Sequence, residues 1–195
     1  MKKLAITGFS RSGTTALTDL LNLDPRIKIT YEKLAFLDGR KNNRRKWNQR
    51  NADLALMEKT PIYTGDKTTR PYLALWENMR EKADKIIFCL RDPRDIFRSR
   101  YWGIINEDPV LQYIKLMGDL LEKDVEGVRF VMYEAAVLDI PGLVKNLSNY
   151  LELETPLNVE GHNYKPVRRL GWEKKPEVEL PDEVYNIMQR FGYGE

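Results

Sequence analysis

The stretch that most constrains this chain is Leu4-Ala5-Ile6-Thr7-Gly8-Phe9-Ser10-Arg11-Ser12-Gly13-Thr14-Thr15-Ala16-Leu17. It opens on a short apolar run, the pattern of a buried strand. Gly8 and Gly13 then bracket a tight turn. Leu17, Leu20 and Leu21 recur at helical spacing, which predicts a helix beginning near Gly13 or Thr14. A strand, a glycine-bracketed loop and a helix N-terminus together form an anion site, because backbone N–H groups converge there and the helix dipole adds partial positive charge.

Gly8 and Gly13 have the spacing of a Walker P-loop, which continues with Lys and then Ser or Thr. Here Thr14 stands where that Lys would be, and the loop's cation is Arg11, inside the turn. A guanidinium at that place can hold a phosphate or sulfonate oxygen with two donors. Thr14 and Thr15 add hydroxyls. These residues predict phosphate binding without the NTPase lysine; the alternative is a glycine turn of an ordinary α/β protein.

The 195 residues fit a single domain, 1–195, long enough to bury a core. Charge is high and nearly balanced, with a formal excess of +3, which favours acidic ligands only weakly. Cys89 is the sole cysteine, so no intrachain disulfide forms, and its apolar surroundings in sequence predict a buried core residue. No apolar run approaches the roughly 20 residues of a membrane span. Met1-Lys2-Lys3 leads straight into the first strand, so no signal peptide and a cytoplasmic location are expected.

Along the chain, Asp24-Pro25 breaks the first helix, and Ile27 to Tyr31 alternates as a short strand ending at Glu32. From Arg40 to Arg50 lie six basic residues (Arg40, Lys41, Arg44, Arg45, Lys46, Arg50) and no acidic one. This loop or exposed helix reads equally as a solvated surface or as a clamp for an acidic substrate. Nucleic-acid binding ranks third, because Trp47 is the only interleaved aromatic. Leu54-Ala55-Leu56-Met57 is another short apolar run, ending at Glu58-Lys59-Thr60-Pro61. Tyr72, Trp76, Met79 and Ala83 share one helix face. Lys85 to Leu90 is the clearest strand, apolar on nearly every residue as central parallel strands are. Asp92, Pro93 and Asp95 then suit the N-cap, first and capping-box positions of a helix.

Val110, Ile114, Met117 and Leu121 predict a further helix, Val128 to Tyr133 a strand, and Leu143 to Leu151 a helix. Residues 156–176 read as a long loop, and Val184, Ile187, Met188 and Phe191 as a last helix starting at Pro181. Strands alternating with helices call for an α/β fold, a P-loop-like parallel sheet with helices on both faces. Ligands in such sheets bind beyond the carboxyl ends of the strands. Gly8, Glu32, Glu58 and Arg91 are expected at those ends, lining one crevice.

The loop resembles the 5′-phosphosulfate loop of sulfotransferases that use 3′-phosphoadenosine 5′-phosphosulfate (PAPS) and release 3′-phosphoadenosine 5′-phosphate (PAP). There a Lys or Arg, then Ser-Gly-Thr-Thr, follows the first strand, and Arg11-Ser12-Gly13-Thr14-Thr15 matches residue for residue. The arginine form is most similar to tyrosylprotein sulfotransferases and their bacterial relatives. The family binds the cofactor's 3′-phosphate with an Arg and a Ser eight residues apart in a strand-to-helix motif. Arg91 through Ser99 matches in type and spacing, although alone Arg91 reads equally as the partner of Asp95 in a well-capped helix. The resemblance implies that Ser10 to Thr15 hold the 5′-phosphosulfate and that Arg91 and Ser99 hold the 3′-phosphate. It also implies that Glu32, twenty-one residues after Arg11, is the general base. Glu58 and His162, the only histidine, are the other base candidates. Glu58-Lys59-Thr60-Pro61 resembles the Lys-Ser/Thr/Asp-Pro type segment near the sulfonate, which implies that Lys59 and Arg11 stabilise charge on the transferring group.

Val131 to Glu134 and the closing Phe191-Gly192-Tyr193 also resemble the family. Val167 to Trp172 resembles the loop that closes over the 3′-phosphate, giving Arg168 and Arg169 as further phosphate contacts. The expected activity is PAPS-dependent sulfuryl transfer to a hydroxyl acceptor (a small molecule, a sugar or a peptide tyrosine) without metal, since no His or Cys cluster is present. The alternatives are a small nucleotide-dependent kinase with a degenerate P-loop and a non-catalytic PAPS- or PAP-binding protein. The chain is short for the family, and neither the acceptor nor the oligomeric state follows from the residues.

Overall fold

The computed structural model describes residues 1–31, 44–57, 60–69, 79–97, 109–123, 125–161 and 179–193. Five strands, β1 (Lys2–Gly8), β2 (Ile27–Tyr31), β3 (Tyr63–Lys67), β4 (Lys85–Leu90) and β5 (Val128–Met132), form one sheet in the order β2-β3-β1-β4-β5. Every neighbouring pair is parallel. The described helices are α1 (Thr14–Leu21), α2 (Arg44–Leu56), α3 (Pro93–Phe97), α4 (Pro109–Glu122), α5 (Tyr133–Leu138), α6 (Ile140–Tyr150) and α7 (Asp182–Arg190). The expected parallel sheet with helices around it is therefore what the chain forms.

Side-chain alternation along the central strands splits the core in two. Leu4 and Ile6 of β1, with Ile87 and Cys89 of β4, join Leu17, Leu20 and Leu21 of α1 and Leu143 and Leu147 of α6. Ala5 of β1 and Ile86, Phe88 and Leu90 of β4 join Ile96 of α3, Tyr113 and Met117 of α4, and Val184 and Ile187 of α7. Helix α1 has eight residues, too few to stand alone. Its three buried leucines, each contributing about 1.5–3 kcal/mol, hold it against the sheet and fix where it starts. Cys89 is buried as expected, and burial pushes its thiol up to about 12.

One strand departs from the sequence reading. The apolar run at Leu54 closes helix α2 instead of ending a strand, and the central strand β3 is the polar segment Tyr63-Thr64-Gly65-Asp66-Lys67. Gly65 explains how so polar a segment takes a central place: a Cβ there would lie 1.6 Å from the Leu4 carbonyl oxygen, so only glycine admits the neighbouring strand. Glu58 consequently precedes β3 and does not follow a strand. Ile62, next to β3, accepts from Lys2 N–H at the amino edge of the sheet (2.8 Å). The residue at the carboxyl end of β3 is Lys67.

The helix after β4 also differs in one detail. Asp92 caps it as predicted, accepting from Arg94 N–H at 2.8 Å. The reciprocal half of a capping box would have Asp95 accept from Asp92 N–H. Glu134 takes that N–H instead, at 3.0 Å, and Asp95 pairs with Arg91 at 3.5 Å.

Candidate functional site

The site is built on the carboxyl end of β1. Gly8 leaves the strand with φ 152°, and a Cβ on it would meet the Cys89 carbonyl oxygen at 2.5 Å and Ser12 Oγ at 2.6 Å, so the loop folds tightly over the strand end. Ser12 N–H donates to the Phe9 carbonyl (3.0 Å), closing the turn. Arg11 takes φ 75°, the left-handed region, and its side chain is exposed at the crest of the loop. Phe9 anchors the loop from below, meeting Tyr113 and Phe97 edge-on with centroids 5.3 and 6.2 Å away.

Gly13 (φ 92°) is the N-cap of α1, and no side chain caps the helix. The first N–H groups of a helix lack intrahelical partners, and a helix start of this kind suits an anion. Ser12 Oγ is buried and has no hydrogen-bond partner among the described residues, and the same holds for Thr7 Oγ1 at the end of β1 and Thr68 Oγ1 just past β3. Buried hydroxyls are nearly always satisfied. All three stand at or just beyond the carboxyl ends of β1 and β3.

Arg91, at the end of β4, is joined to this loop. Its Nη1 donates to the Arg11 carbonyl oxygen (3.2 Å), and its guanidinium lies 4.5 Å over the Tyr133 ring. The same ring fills the space beside Gly13: a Cβ there would sit 2.4 Å from Tyr133 Cδ2. Tyr133 therefore spaces the two arginine-bearing segments, and sequence reasoning assigned it no such role. Its neighbour Glu134 fixes the frame, accepting from Asp92 N–H and from the Tyr193 hydroxyl (3.0 Å). Burial first, and then the Glu134 carboxylate, push the Tyr193 hydroxyl well above its ordinary range, so it stays a donor.

Lys67 is the second residue missed. It is 1% exposed and stands in register with Ile6 of β1 on one side and Tyr31 of β2 on the other. It is thus a buried lysine at the strand ends, in register between β1 and the residue preceding Glu32. Its segment carries no apolar run, so the period-based signal for a strand was missing; the available sign was a lysine followed by two threonines after Gly65.

Ser10, Arg11, Ser12, Gly13, Thr14, Thr15 and Arg91 come together in this region. Glu32, Glu58, Lys59, Ser99, His162, Arg168 and Arg169 lie outside the described residues. Among the described residues, no cluster of His, Cys, Asp or Glu suited to a metal is present, and no helix is long and apolar enough to cross a membrane.

A family model described as "Sulfotransferase domain" matches residues 1–104. No curated protein gives a significant match. Among solved structures, the chain is similar to the sulfotransferase domain of the Synechococcus PCC 7002 olefin synthase, at 14% identity and TM-score 0.64 over 99% of this chain and 95% of that one. It is similar to the sulfotransferase domain from the curacin biosynthetic pathway, at 14% identity and TM-score 0.60 over 98% and 97%. It is also similar to mouse sulfotransferase SULT7A1, crystallised with PAP, at 18% identity and TM-score 0.51 over 79% and 59%. These structural likenesses concern the fold. The family model spans more than half of the sequence and covers both the loop at Arg11 and the strand end at Arg91, so this chain belongs to the sulfotransferase domain family.

Proposed function

We propose that this protein transfers a sulfuryl group from PAPS to a hydroxyl acceptor by in-line displacement. The observation that carries the reading is the contact between Arg91 and the loop, 80 residues apart in sequence and joined at 3.2 Å. A nucleotide carrying phosphates at both its 5′ and 3′ positions needs two cationic seats at a fixed separation, and Arg11 and Arg91, on segments spaced by the Tyr133 ring, would supply such a pair. The described residues suit that group chemically: an uncapped helix N-terminus, the Ser12 hydroxyl, unpartnered among the described residues, and the exposed Arg11 would form an oxyanion cradle.

Bound there, PAPS would supply an activated sulfuryl group. In the proposed assignment, Ser10 to Thr15 seat its 5′-phosphosulfate. Arg91 and Ser99, with Arg168 and Arg169, seat its 3′-phosphate. Glu32 takes the acceptor's proton as the acceptor oxygen bonds to sulfur and the bond from sulfur to the phosphate oxygen breaks. Arg11 and Lys59 neutralise charge on the sulfonate and on the departing oxygen. Lys67 belongs with them by its place between β1 and β2.

Calorimetry tests the reading. PAP is expected to bind without magnesium, more tightly than ADP or ATP. Binding of magnesium-ATP without binding of PAP would replace the sulfotransferase reading by a kinase one.

A further inference from the structure

Helix α7 ends in a Schellman motif. Gly192 takes φ 81°, a left-handed conformation that glycine enters without steric cost. Its N–H donates to the Gln189 carbonyl (3.0 Å), and Tyr193 N–H donates to the Met188 carbonyl (2.9 Å). The reversal turns the chain back over the core cluster that holds Met188, against which Tyr193 packs. Phe191, just before the turn, meets the Phe130 ring of β5 with centroids 5.8 Å apart. The end of α7 is thereby laid against the strand that leads into Tyr133 and Glu134.

Those two neighbours hold Arg91 from both ends. The Asp92 N–H belongs to the peptide that begins at the Arg91 carbonyl carbon, so its bond to Glu134 Oε1 (3.0 Å) fixes the backbone just after Arg91. The Tyr133 ring, 4.5 Å from the guanidinium, fixes the other end. Glu134 has a second oxygen, and the Tyr193 hydroxyl donates to it at 3.0 Å. A carboxyl group held by one oxygen alone can swing, because the terminal torsion of a glutamate is broad. Held by both, Glu134 is a strut between the turn after α7 and the end of β4. Both of its bonds are partly buried, which strengthens them relative to bonds in water.

We propose that Glu134 and Tyr193 are positioning residues for Arg91, and that through them the turn after α7 sets how strongly the protein prefers a nucleotide with a 3′-phosphate. This rests on the sulfotransferase reading, in which Arg91 takes that phosphate. Neither Glu134 nor Tyr193 has to touch the nucleotide. Ordering a long side chain during binding costs affinity, and a guanidinium already held at both ends has less of that cost to meet. Arg91 also has competing partners in Asp95 and the Arg11 carbonyl, so a backbone free to shift after Arg91 would let the guanidinium settle on them instead.

Calorimetric titration with PAP and with 5′-AMP is the test, because the ratio of the two affinities reads the 3′-phosphate seat alone. Tyr193→Phe removes one hydroxyl and is expected to lower that ratio about threefold. Glu134→Ala removes both contacts and is expected to lower it about tenfold. Glu134→Gln keeps an acceptor for Asp92 N–H and is expected to restore most of the loss. Affinity for 5′-AMP should be the same in all three. In an Arg91→Ala background, Tyr193→Phe should change PAP affinity no further, since both act through one guanidinium. Suppose Arg91→Ala abolishes the preference for PAP while Tyr193→Phe and Glu134→Ala leave it unchanged. That result overturns the positioning role and leaves the sulfotransferase reading standing. Equal losses for both nucleotides, with a lowered melting temperature, make the two residues structural and overturn it as well. A wild-type protein that binds PAP no more tightly than 5′-AMP overturns the reading and the proposal together. Should Glu134→Ala fail to fold, Tyr193→Phe alone and in the Arg91→Ala background decides between these outcomes.

Discussion

The two ends of the sheet are built on opposite rules. At the amino end, polar groups are consumed in mutual contacts. Glu152 accepts from Lys85 (2.6 Å) and Lys2 (2.9 Å), tying the end of α6 to the starts of β4 and β1. Arg26 spans Asp24, Thr155 and Pro156, and Asp24 also accepts from Asn158 N–H. Burial alone would raise the Asp24 carboxyl, yet Arg26 and the backbone donors outweigh it and hold it below its ordinary value. At the carboxyl end, Thr7, Ser12 and Thr68 keep buried hydroxyls without partners among the described residues, Arg11 sits at positive φ, and no described side chain caps the start of α1. One end closes its own interactions and stabilises the fold. The other closes some of its interactions, as Glu134 does with Asp92 N–H and the Tyr193 hydroxyl, but leaves three buried hydroxyls open among the described residues. Binding sites drawn from the less satisfied part of a fold are the expected outcome when stability is supplied elsewhere.

Substitutions at the two ends should therefore separate activity from stability. The largest effect is expected at Glu32. Glu32→Gln keeps volume and hydrogen bonding but cannot take a proton, and the transfer rate should fall by about 10²–10⁴ with PAP affinity and melting temperature unchanged. The measurement is turnover with an acceptor found by screening phenols, sugars and tyrosine peptides. Full activity in Glu32→Gln alongside a dead Glu58→Gln or His162→Ala would move the base. A loss confined to KM would make Glu32 an acceptor contact only.

Arg91→Ala comes next. Removing a charge-assisted contact costs on the order of 1.5–3 kcal/mol, or roughly tenfold to a hundredfold. The loss should fall on PAP and spare 5′-AMP, which lacks the 3′-phosphate. Equal losses for both nucleotides would show that Arg91 serves mainly its contacts with Asp95 and the Arg11 carbonyl.

Ser12→Ala sharpens the comparison most directly. It deletes a buried hydroxyl that has no partner among the described residues, so denaturant titration of the nucleotide-free protein should show unchanged or slightly raised stability, by up to about 1 kcal/mol. PAP affinity should fall by a few-fold. Lower stability without loss of affinity would place Ser12 among structural residues and break the contrast between the two ends.

The smallest effect is expected at the amino end. Lys85 and Lys2 hold the Glu152 carboxyl down to about 2, well below the ordinary glutamate value. A carboxylate depressed in the folded state contributes stability above its unfolded pKa and loses it as pH falls through the folded one. Wild type should thus lose this contribution between about pH 4.5 and 2, and Glu152→Gln should lack that part of the acid dependence. The pair is exposed and screened, so the difference in melting temperature at neutral pH should be small, with PAP affinity identical in both.

Much of the fold was legible because its signals are local. The apolar runs of β1 and β4 and the helical spacing of Leu17, Leu20 and Leu21 each declare their element within a dozen residues. So do the Asp92 cap and the face formed by Val184, Ile187 and Met188. The loop from Gly8 to Thr15 was legible for the same reason, since contiguous residues form it. Strand β3 was not, because its place depends on a long-range fit: Gly65 admits the Leu4 backbone, a partner some sixty residues away in sequence.

By itself, the sequence determined the class of sheet, the tight turn at Gly8 and Gly13, the cation at Arg11 in place of a P-loop lysine, and the cap at Asp92. Each follows from steric and hydrogen-bonding preferences of neighbouring residues. Only tertiary structure decided that Lys67 is buried between β1 and β2 and that Tyr133 spaces Gly13 from Arg91. The same holds for the transfer of the Asp92 N–H from Asp95 to Glu134 and for the grip of Asn51 on the Tyr31 backbone. The physical reason is common to all four. A side chain's burial, charge environment and partner are set by which strands and helices become neighbours, and the order β2-β3-β1-β4-β5 is a property of the packed whole that no window of adjacent residues contains.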